Sequence, residues 1–188
     1  MERTGHVLLA GEGAAPSPPR RGWRPSTTRR PVRPLRQAGG IVAPAERPHG
    51  TVGCAALDRE GRLAVATSTG GTLNKLPGRV GDSPLIGAGT WADHHAAVSC
   101  TGHGEAFIRC AAAAQLAMRL RFAGQDLAEA AAAVLDEVRA HSGDGGLIAL
   151  GRDGAIAMPF NSEGMNRAAP ASGWPDRLRK LVIEARRE

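Results

Sequence analysis

The 188-residue sequence has no tyrosine, only three cysteines and no long apolar run. Cys54, Cys100 and Cys110 are odd in number and lack the spacing of metal ligands, so we expect reduced thiols. No stretch is long and apolar enough to span a membrane, and the N-terminus lacks the apolar core of a signal peptide. These absences favour a cytoplasmic protein without a disulfide framework.

Positive charge is concentrated in the first fifty residues. They contain nine of the 24 Lys and Arg residues, three of the 18 Asp and Glu residues, and eight of the 13 prolines. We therefore expect residues 15–48 to form a disordered, Pro/Arg-rich linker. An arginine-rich arm can bind nucleic acid, but Trp23 is the only aromatic residue of this segment, so nucleic-acid binding is disfavoured.

Apolar runs alternate with turn-forming residues after residue 50. The segment Asp58-Arg59-Glu60-Gly61 is a good hairpin connection, and Asp126 and Glu129 lie at capping-box spacing. The order of elements, with hairpins rather than crossovers, predicts an α+β fold in which helices cover antiparallel sheets. The predicted strands are 51–57, 63–68, 96–100, 147–150 and 155–160, and the predicted helices are 105–122, 127–140 and 176–187, the last of them basic and amphipathic.

Thr51 follows Gly50 and opens the first predicted strand. If the Gly50–Thr51 peptide is cut, Thr51 carries both a hydroxyl nucleophile and an α-amine base, whose ordinary pKa is about 7.7–8.0. The same dipeptide also begins ordinary strands, so its weight depends on the residues that follow.

A glycine-rich loop next places three chemically distinct residues close together: Thr69, Arg79 and Asp82. The Arg79 guanidinium suits a carboxylate and the Asp82 carboxylate suits an ammonium, so the two complement a zwitterion. A surface salt bridge across a turn is the alternative for this pair.

The segment Thr101–Gly102 lies between a predicted strand and a predicted helix. A hydroxyl and a backbone N–H there could face a developing oxyanion, with an ordinary turn as the alternative. Histidines 94, 95 and 103 have no third ligand at a suitable spacing, so solvated loop histidines are favoured over a metal site. The glycine-rich segment 143–146 lacks the Lys and Ser/Thr of a phosphate loop.

Taken together, the segments from about residue 49 to residue 167 resemble the threonine-type, or plant-type, asparaginase and isoaspartyl peptidase family of N-terminal nucleophile hydrolases. The resemblance rests on H-G-T-V-G-C-A-A-L-D, T-S-T-G-G-T-L-N-K-L-P-G-R-V-G-D-S-P-L-I-G-A-G, S-C-T-G-H-G-E and F-N-S-E-G-M-N-R. It implies an αββα sandwich, self-cleavage between Gly50 and Thr51, and Thr51 as the nucleophile.

The resemblance also assigns roles to the other site residues. Thr69 would support the Thr51 hydroxyl, Arg79 would hold the substrate α-carboxylate, and Asp82 would hold its α-ammonium. Thr101 and Gly102 would stabilise the oxyanion. The substrates would be asparagine and β-aspartyl dipeptides, hydrolysed through a β-aspartyl ester without a cofactor. Intact family members would be (αβ)2 assemblies.

The sequence departs from this family before residue 49. Residues 1–14 resemble the end of the family's α half, and residues 15–48 resemble nothing in it; a misplaced start with a shifted reading frame is favoured over a decayed copy. Residues 49–170 match the β-subunit hydrolase domain, with a basic helix in 171–188.

We therefore expect an incomplete αββα sandwich that cleaves itself poorly or not at all. The alternatives are a glycosylasparaginase-like amidase and an inactive remnant that acts only as a binding fragment.

Overall fold

Two antiparallel sheets and three helices account for the regular structure in the computed structural model, which describes residues 6–11, 50–72, 75–169 and 179–184. The predicted linker over 15–48 therefore lies outside the described residues. The strands are β1 (Thr51–Leu57), β2 (Leu63–Thr69), β3 (Thr90–Ala92), β4 (Ala96–Gly102), β5 (Gly145–Gly151), β6 (Ile156–Ala157), β7 (Asn166–Ala168) and β8 (Arg179–Glu184), and the helices are α1 (Gly104–Arg109), α2 (Ala112–Ala123) and α3 (Leu127–Ala140).

The described elements form three layers. One sheet has the strand order β2-β1-β8-β7, and the other has the order β3-β4-β5-β6. Strands β1 and β2 pack on β4, while α2 and α3 pack on the opposite face of the β3-β4-β5-β6 sheet. Strands β4 and β5 are thus covered on both faces, which explains why they are almost entirely buried. This arrangement confirms the predicted α+β class with antiparallel sheets and covering helices.

Each boundary between layers has its own apolar core. Between the two sheets, Ala55 packs with residues of the second sheet such as Ile148 and Leu150. Between sheet and helices, the core is larger and includes Phe107 and Leu116. Val52, on the face of β1 turned away from β4, is exposed.

The first hairpin is confirmed. The Asp58 carboxylate accepts backbone N–H bonds from Glu60 at 3.0 Å and from Arg62 at 2.8 Å, and Gly61 adopts a φ of +76°. This turn sets the register of β1 against β2, so that Thr51 and Thr69 become direct cross-strand partners. The spacing of the two threonines is therefore a consequence of the hairpin.

The prediction of one continuous helix over 105–122 is wrong, because the chain breaks between α1 and α2 at Ala111, where φ is +49°. The backbone N–H of Ala113 donates to the carbonyl of Ala88 at 3.1 Å, and that of Ala114 donates to the carbonyl of Gly87 at 2.9 Å. The first N–H groups of α2 thus satisfy the carbonyls of a distant loop. That gain offsets a left-handed alanine, which costs about 1–2 kcal/mol.

The predicted C-terminal basic helix is also wrong where the structure describes it. Residues Arg179–Glu184 form β8, which pairs antiparallel with β1 on one side and with β7 on the other. Strand β1 has two edges, and β2 pairs with only one of them. A segment with a Leu-Val-Ile centre has high strand propensity, and pairing with the second edge satisfies the backbone hydrogen-bonding groups there. Residues 176–178 and 185–187 of the predicted helix lie outside the described residues.

The remaining predictions hold with adjusted ends. Helix α3 has the predicted bounds, and its capping box of Asp126 and Glu129 is present. The second predicted hairpin is confirmed as β5 and a shortened β6, whereas the short strands β3 and β7 were not predicted. The three cysteines are unpaired, as expected. In the described part of the chain, no helix has the length and apolar character that crossing a membrane requires.

Candidate active site

Thr51 and Thr69 meet at the open end of the β1–β2 hairpin. Their side chains form a hydrogen bond in which the Thr51 hydroxyl donates to Thr69 Oγ1 at 3.1 Å. Thr51 is largely buried, whereas the preceding Gly50 is exposed at the point where the chain enters β1. The exposed Gly50 and the buried Thr51 thus adjoin at the start of β1.

A second layer of contacts holds this pair. The Thr69 oxygen also accepts the backbone N–H of Gly71 at 3.0 Å, so its position is fixed by the loop as well as by the strand. Below the pair, a Cβ added to Gly53 would lie 2.3 Å from Ser99 Oγ on β4, so only glycine lets the two sheets approach this closely. Ser99 Oγ is also 2.7 Å from Thr67 Oγ1. These contacts fix β1 and β2 against β4.

Arg79 is buried and engaged on one side. Its Nε donates to Glu105 Oε1 at 2.8 Å, and its Nη2 donates to Glu105 Oε2 at 2.7 Å. Both side chains are about 95% buried, at 4% and 5% relative exposure. The hydrogen bonds to Glu105 raise the pKa of Arg79 further above its ordinary value, although burial opposes them. Arg79 therefore pairs with Glu105 in a buried ion pair, and the alternative for this motif, a surface salt bridge with Asp82, is not observed.

Asp82 lies beside this pair with an unused oxygen. Its Oδ2 is buried and has no hydrogen-bond partner in the described structure. Burial raises the pKa of Asp82 to about 6, although backbone hydrogen bonds and the positive charge of Arg79 pull it down. A buried carboxylate oxygen without a donor is costly, and a ligand ammonium would satisfy it.

Glycines permit this crowding. A Cβ on Gly104 would lie 2.7 Å from Asp82 Oδ1 and 3.0 Å from Arg79 Nη2. A Cβ on Gly89 would lie 2.7 Å from Asp82 Oδ2. The structure therefore brings Arg79 and Asp82 together at the start of α1, as the loop spacing predicted.

Thr101 and Gly102 are the last two residues of β4 and precede Gly104 and Glu105 of α1 by two to four positions. Thr101 is buried. Gly102 has a φ of +139°, and a Cβ there would lie 2.2 Å from the Asp144 carbonyl oxygen. That carbonyl also accepts the His103 N–H at 2.8 Å, so the turn is held against the start of β5.

Glu105 and His6 were not predicted as site residues, although Glu105 stands in S-C-T-G-H-G-E, one of the segments on which the resemblance rests, and His6 lies in residues 1–14, which resemble the end of the family's α half. Burial works to raise the pKa of Glu105, but hydrogen bonds and the charge of Arg79 outweigh it and lower that pKa to about 2. His6 Nδ1 lies 3.0 Å from Glu105 Oε1. The sequence signal that could have identified Glu105 is its position between Gly104 and the apolar pair Ala106-Phe107. No comparable signal marks His6.

No metal centre emerges from the described residues, which contain no suitable group of three His, Cys, Asp or Glu side chains. His94 and His95 are exposed in the turn between β3 and β4. His103 is half exposed, with Nε2 3.6 Å from Glu105 Oε2.

The sequence is similar to a known protein family. The sequence profile of the family described as asparaginase matches residues 20–174. The chain belongs to this family. Its relatives include the isoaspartyl peptidase of Escherichia coli K12, 48% identical over 185 aligned residues that cover 89% of this chain and 58% of that protein.

Two further relatives show the breadth of the asparaginase family. The isoaspartyl peptidase of Salmonella typhimurium LT2 is 47% identical over 89% of this chain and 59% of its own length. The isoaspartyl peptidase/L-asparaginase of Rattus norvegicus is 39% identical over 92% of this chain and 55% of its own length. The chain therefore spans somewhat more than half the length of these relatives.

Proposed function

We propose that the chain is a threonine-type amidohydrolase that releases aspartate from L-asparagine and β-aspartyl dipeptides. The observation that carries the proposal is the hydrogen bond from the Thr51 hydroxyl to Thr69 Oγ1 at the entry of β1. The names of the relatives, isoaspartyl peptidase and isoaspartyl peptidase/L-asparaginase, supply the substrate class.

The nucleophile is produced by cleavage of the Gly50–Thr51 peptide. Thr51 Oγ1 attacks the Gly50 carbonyl carbon, the C–N bond breaks, and the resulting ester is hydrolysed by water. Thr51 then has a free α-amine, which can accept the hydroxyl proton near neutral pH. Thr69, whose oxygen is already fixed by Gly71, holds the hydroxyl in one orientation during both reactions.

Arg79 and Asp82 orient the substrate. The guanidinium pairs with the α-carboxylate, and the free Oδ2 of Asp82 accepts from the α-ammonium. Two opposite charges at a fixed separation select an unblocked α-amino acid group. The amide at the other end of the substrate is then directed to the nucleophile.

Hydrolysis proceeds through an ester on Thr51. Thr51 Oγ1 attacks the side-chain carbonyl carbon, and its proton passes to the α-amine. Thr101 and Gly102 stabilise the oxyanion of the tetrahedral intermediate. Collapse expels ammonia or the amine of the second residue, which takes that proton. Water then cleaves the β-aspartyl ester and frees aspartate. Every step uses side chains and water, so we propose that no cofactor is required.

We propose that the three described layers are part of an αββα sandwich, in which further helices cover the face of β1 that exposes Val52. An (αβ)2 assembly and a cytoplasmic location are likewise proposed, by analogy with the family.

The test compares Thr51→Ala with Thr72→Ala, which removes a hydroxyl from an exposed loop position. Aspartate release from asparagine and from a β-aspartyl dipeptide is measured alongside N-terminal sequencing. We expect Thr51→Ala to abolish both cleavage and release, and Thr72→Ala to change neither. Aspartate release by Thr51→Ala would refute the proposal. Hydrolysis of glycosylated asparagine alone would favour the glycosylasparaginase-like alternative.

A further inference from the structure

Arg79 has two edges that can each bind a carboxylate, and the structure uses one of them. A guanidinium presents the Nε–Nη2 edge and the Nη1–Nη2 edge. Glu105 accepts from Nε at 2.8 Å and from Nη2 at 2.7 Å, so it occupies the first edge completely. The edge left for a second carboxylate is therefore Nη1–Nη2.

The Glu105 pair is rigid because it is buried and enclosed. Arg79 and Glu105 have relative exposures of only 4% and 5%. A Cβ added to Gly81 would lie 2.7 Å from Nη1, and one added to Gly104 would lie 3.0 Å from Nη2. The backbones of the loop at Gly81 and of α1 at Gly104 thus enclose the guanidinium from two sides, and Arg79 cannot turn its other edge toward the site without breaking both hydrogen bonds.

Glu105 is itself held by the segment that precedes the cleavage point. His6 Nε2 accepts the Leu76 N–H at 3.3 Å, which leaves Nδ1 as the protonated nitrogen that donates to Glu105 at 3.0 Å. The same segment pairs with the glycine-rich loop that contains Arg79 and Asp82, because the Val80 N–H donates to the Leu8 carbonyl at 3.0 Å. Glu105 is thus fixed from two directions.

We propose that Glu105 is a positioning residue that presents the Nη1–Nη2 edge of Arg79 to the substrate α-carboxylate, with His6 holding Glu105 in place. The inference rests on the proposed function, because it assigns the orientation of the group that would bind that carboxylate. Glu105 does not touch the substrate in this scheme, so its effect must depend on whether the ligand has an α-carboxylate.

The experiment measures binding of L-aspartate and of β-alanine, which keeps the amine and the distal carboxylate but lacks the α-carboxylate. Titration calorimetry is applied to the full-length wild-type chain and to Glu105→Gln. The matched control is Glu137→Gln, which makes the same chemical change at a carboxylate paired with Arg119 on the helical layer. Hydrolysis of a β-aspartyl dipeptide is measured on the same preparations.

We expect the preference for L-aspartate over β-alanine to fall by about 10- to 100-fold in Glu105→Gln, the range for losing a well-aligned charged hydrogen bond. The preference of Glu137→Gln should stay within twofold of wild type. In the hydrolysis assay, KM should rise more than kcat falls. A general structural defect would instead weaken both ligands equally.

An unchanged preference in Glu105→Gln, or an equal loss for both ligands, would overturn the inference while leaving the proposed function intact. A wild-type chain that neither binds L-aspartate nor hydrolyses the dipeptide would refute the proposed function and this inference with it. If circular dichroism shows that Glu105→Gln does not fold, Glu105→Asp takes its place. It keeps the charge but shortens the reach, so a reduced preference supports the inference and an unchanged one overturns it.

Discussion

The ionised Asp82 carboxylate should bind the ligand ammonium but lower the free energy of unfolding. The size of that destabilisation follows from the burial of the side chain. Its pKa is raised from 3.8 to about 6, chiefly by burial. Because the folded-state pKa exceeds the unfolded value, the stabilising contribution is complete below about pH 3.8 and is lost as the pH rises through about 6. Relative to pH values below 3.8, the raised pKa therefore lowers the free energy of unfolding by about 3 kcal/mol at pH 7 and by about 1 kcal/mol at pH 4.5, where Asp82 is still mostly protonated in the folded state.

Asp82→Asn removes this charge without changing the shape of the side chain. We expect the free energy of unfolding in urea to rise at pH 7, by an upper limit of about 3 kcal/mol, and to rise much less at pH 4.5. Binding of L-aspartate should be lost, because the amide no longer attracts the ammonium. If Asp82→Asn is less stable than wild type at pH 7, the ionised Asp82 carboxylate does not destabilise the folded state.

Asp93→Asn provides a control of opposite sign. Burial works to raise the pKa of Asp93, but backbone hydrogen bonds from His95 and Ala96 outweigh it and lower that pKa below the ordinary value. The stabilising contribution of this carboxylate is therefore present at neutral pH and lost on acidification. Asp93→Asn should lower the free energy of unfolding at pH 7, and the same urea titration measures it. A gain of stability in both variants would show that the effect at Asp82 is not electrostatic.

Two further predictions concern the hairpin end and the turn before α1. Thr69→Val should lower kcat by about 10- to 100-fold with little change in KM, because the Thr51 hydroxyl loses its fixed acceptor. Steady-state kinetics measure this, with Ser68→Ala at the exposed neighbouring position as the control. An unchanged kcat in Thr69→Val would contradict the prediction. Gly102→Ala should lower the free energy of unfolding by about 2–4 kcal/mol, since φ is +139° and the new Cβ would meet the Asp144 carbonyl. Gly164→Ala, whose Cβ would meet nothing within 4 Å, is the urea-unfolding control, and equal losses in the two variants would contradict the steric explanation.

The pairing of Thr51 with Thr69 could be predicted because it is local. A hairpin with a recognisable turn sets its own register, and the two threonines are only eighteen residues apart in the chain. The proximity of Arg79 and Asp82 could be predicted for the same reason, because they are three positions apart in one glycine-rich loop.

The errors arise where distant segments decide the local structure. The break at Ala111 lies in an alanine-rich run with no helix-stop residue, and it exists because loop carbonyls of Gly87 and Ala88 need donors. The segment over 179–184 has the charge pattern of an amphipathic helix, but the open edge of β1 makes it a strand. Propensity is a weak guide when a tertiary partner can supply the backbone hydrogen bonds.

Glu105 was missed because its partners are far away in sequence. It lies 26 residues from Arg79 and 99 residues from His6, so no spacing rule connects the three. Only the folded chain shows that the guanidinium already has a carboxylate on one edge, and this fact decides how it can receive a substrate.

Measuring chain processing and aspartate release together tests whether cleavage before Thr51 creates the nucleophile. The purified chain is incubated, its intact mass and N-terminal sequence are followed with time, and β-aspartyl dipeptide hydrolysis is assayed on the same samples. We expect slow and partial cleavage that produces a species beginning at Thr51, with aspartate release in proportion to that species and none from Thr51→Ala. Aspartate release from a chain that remains entirely uncut would contradict this expectation, as would a processed Thr51 species without activity.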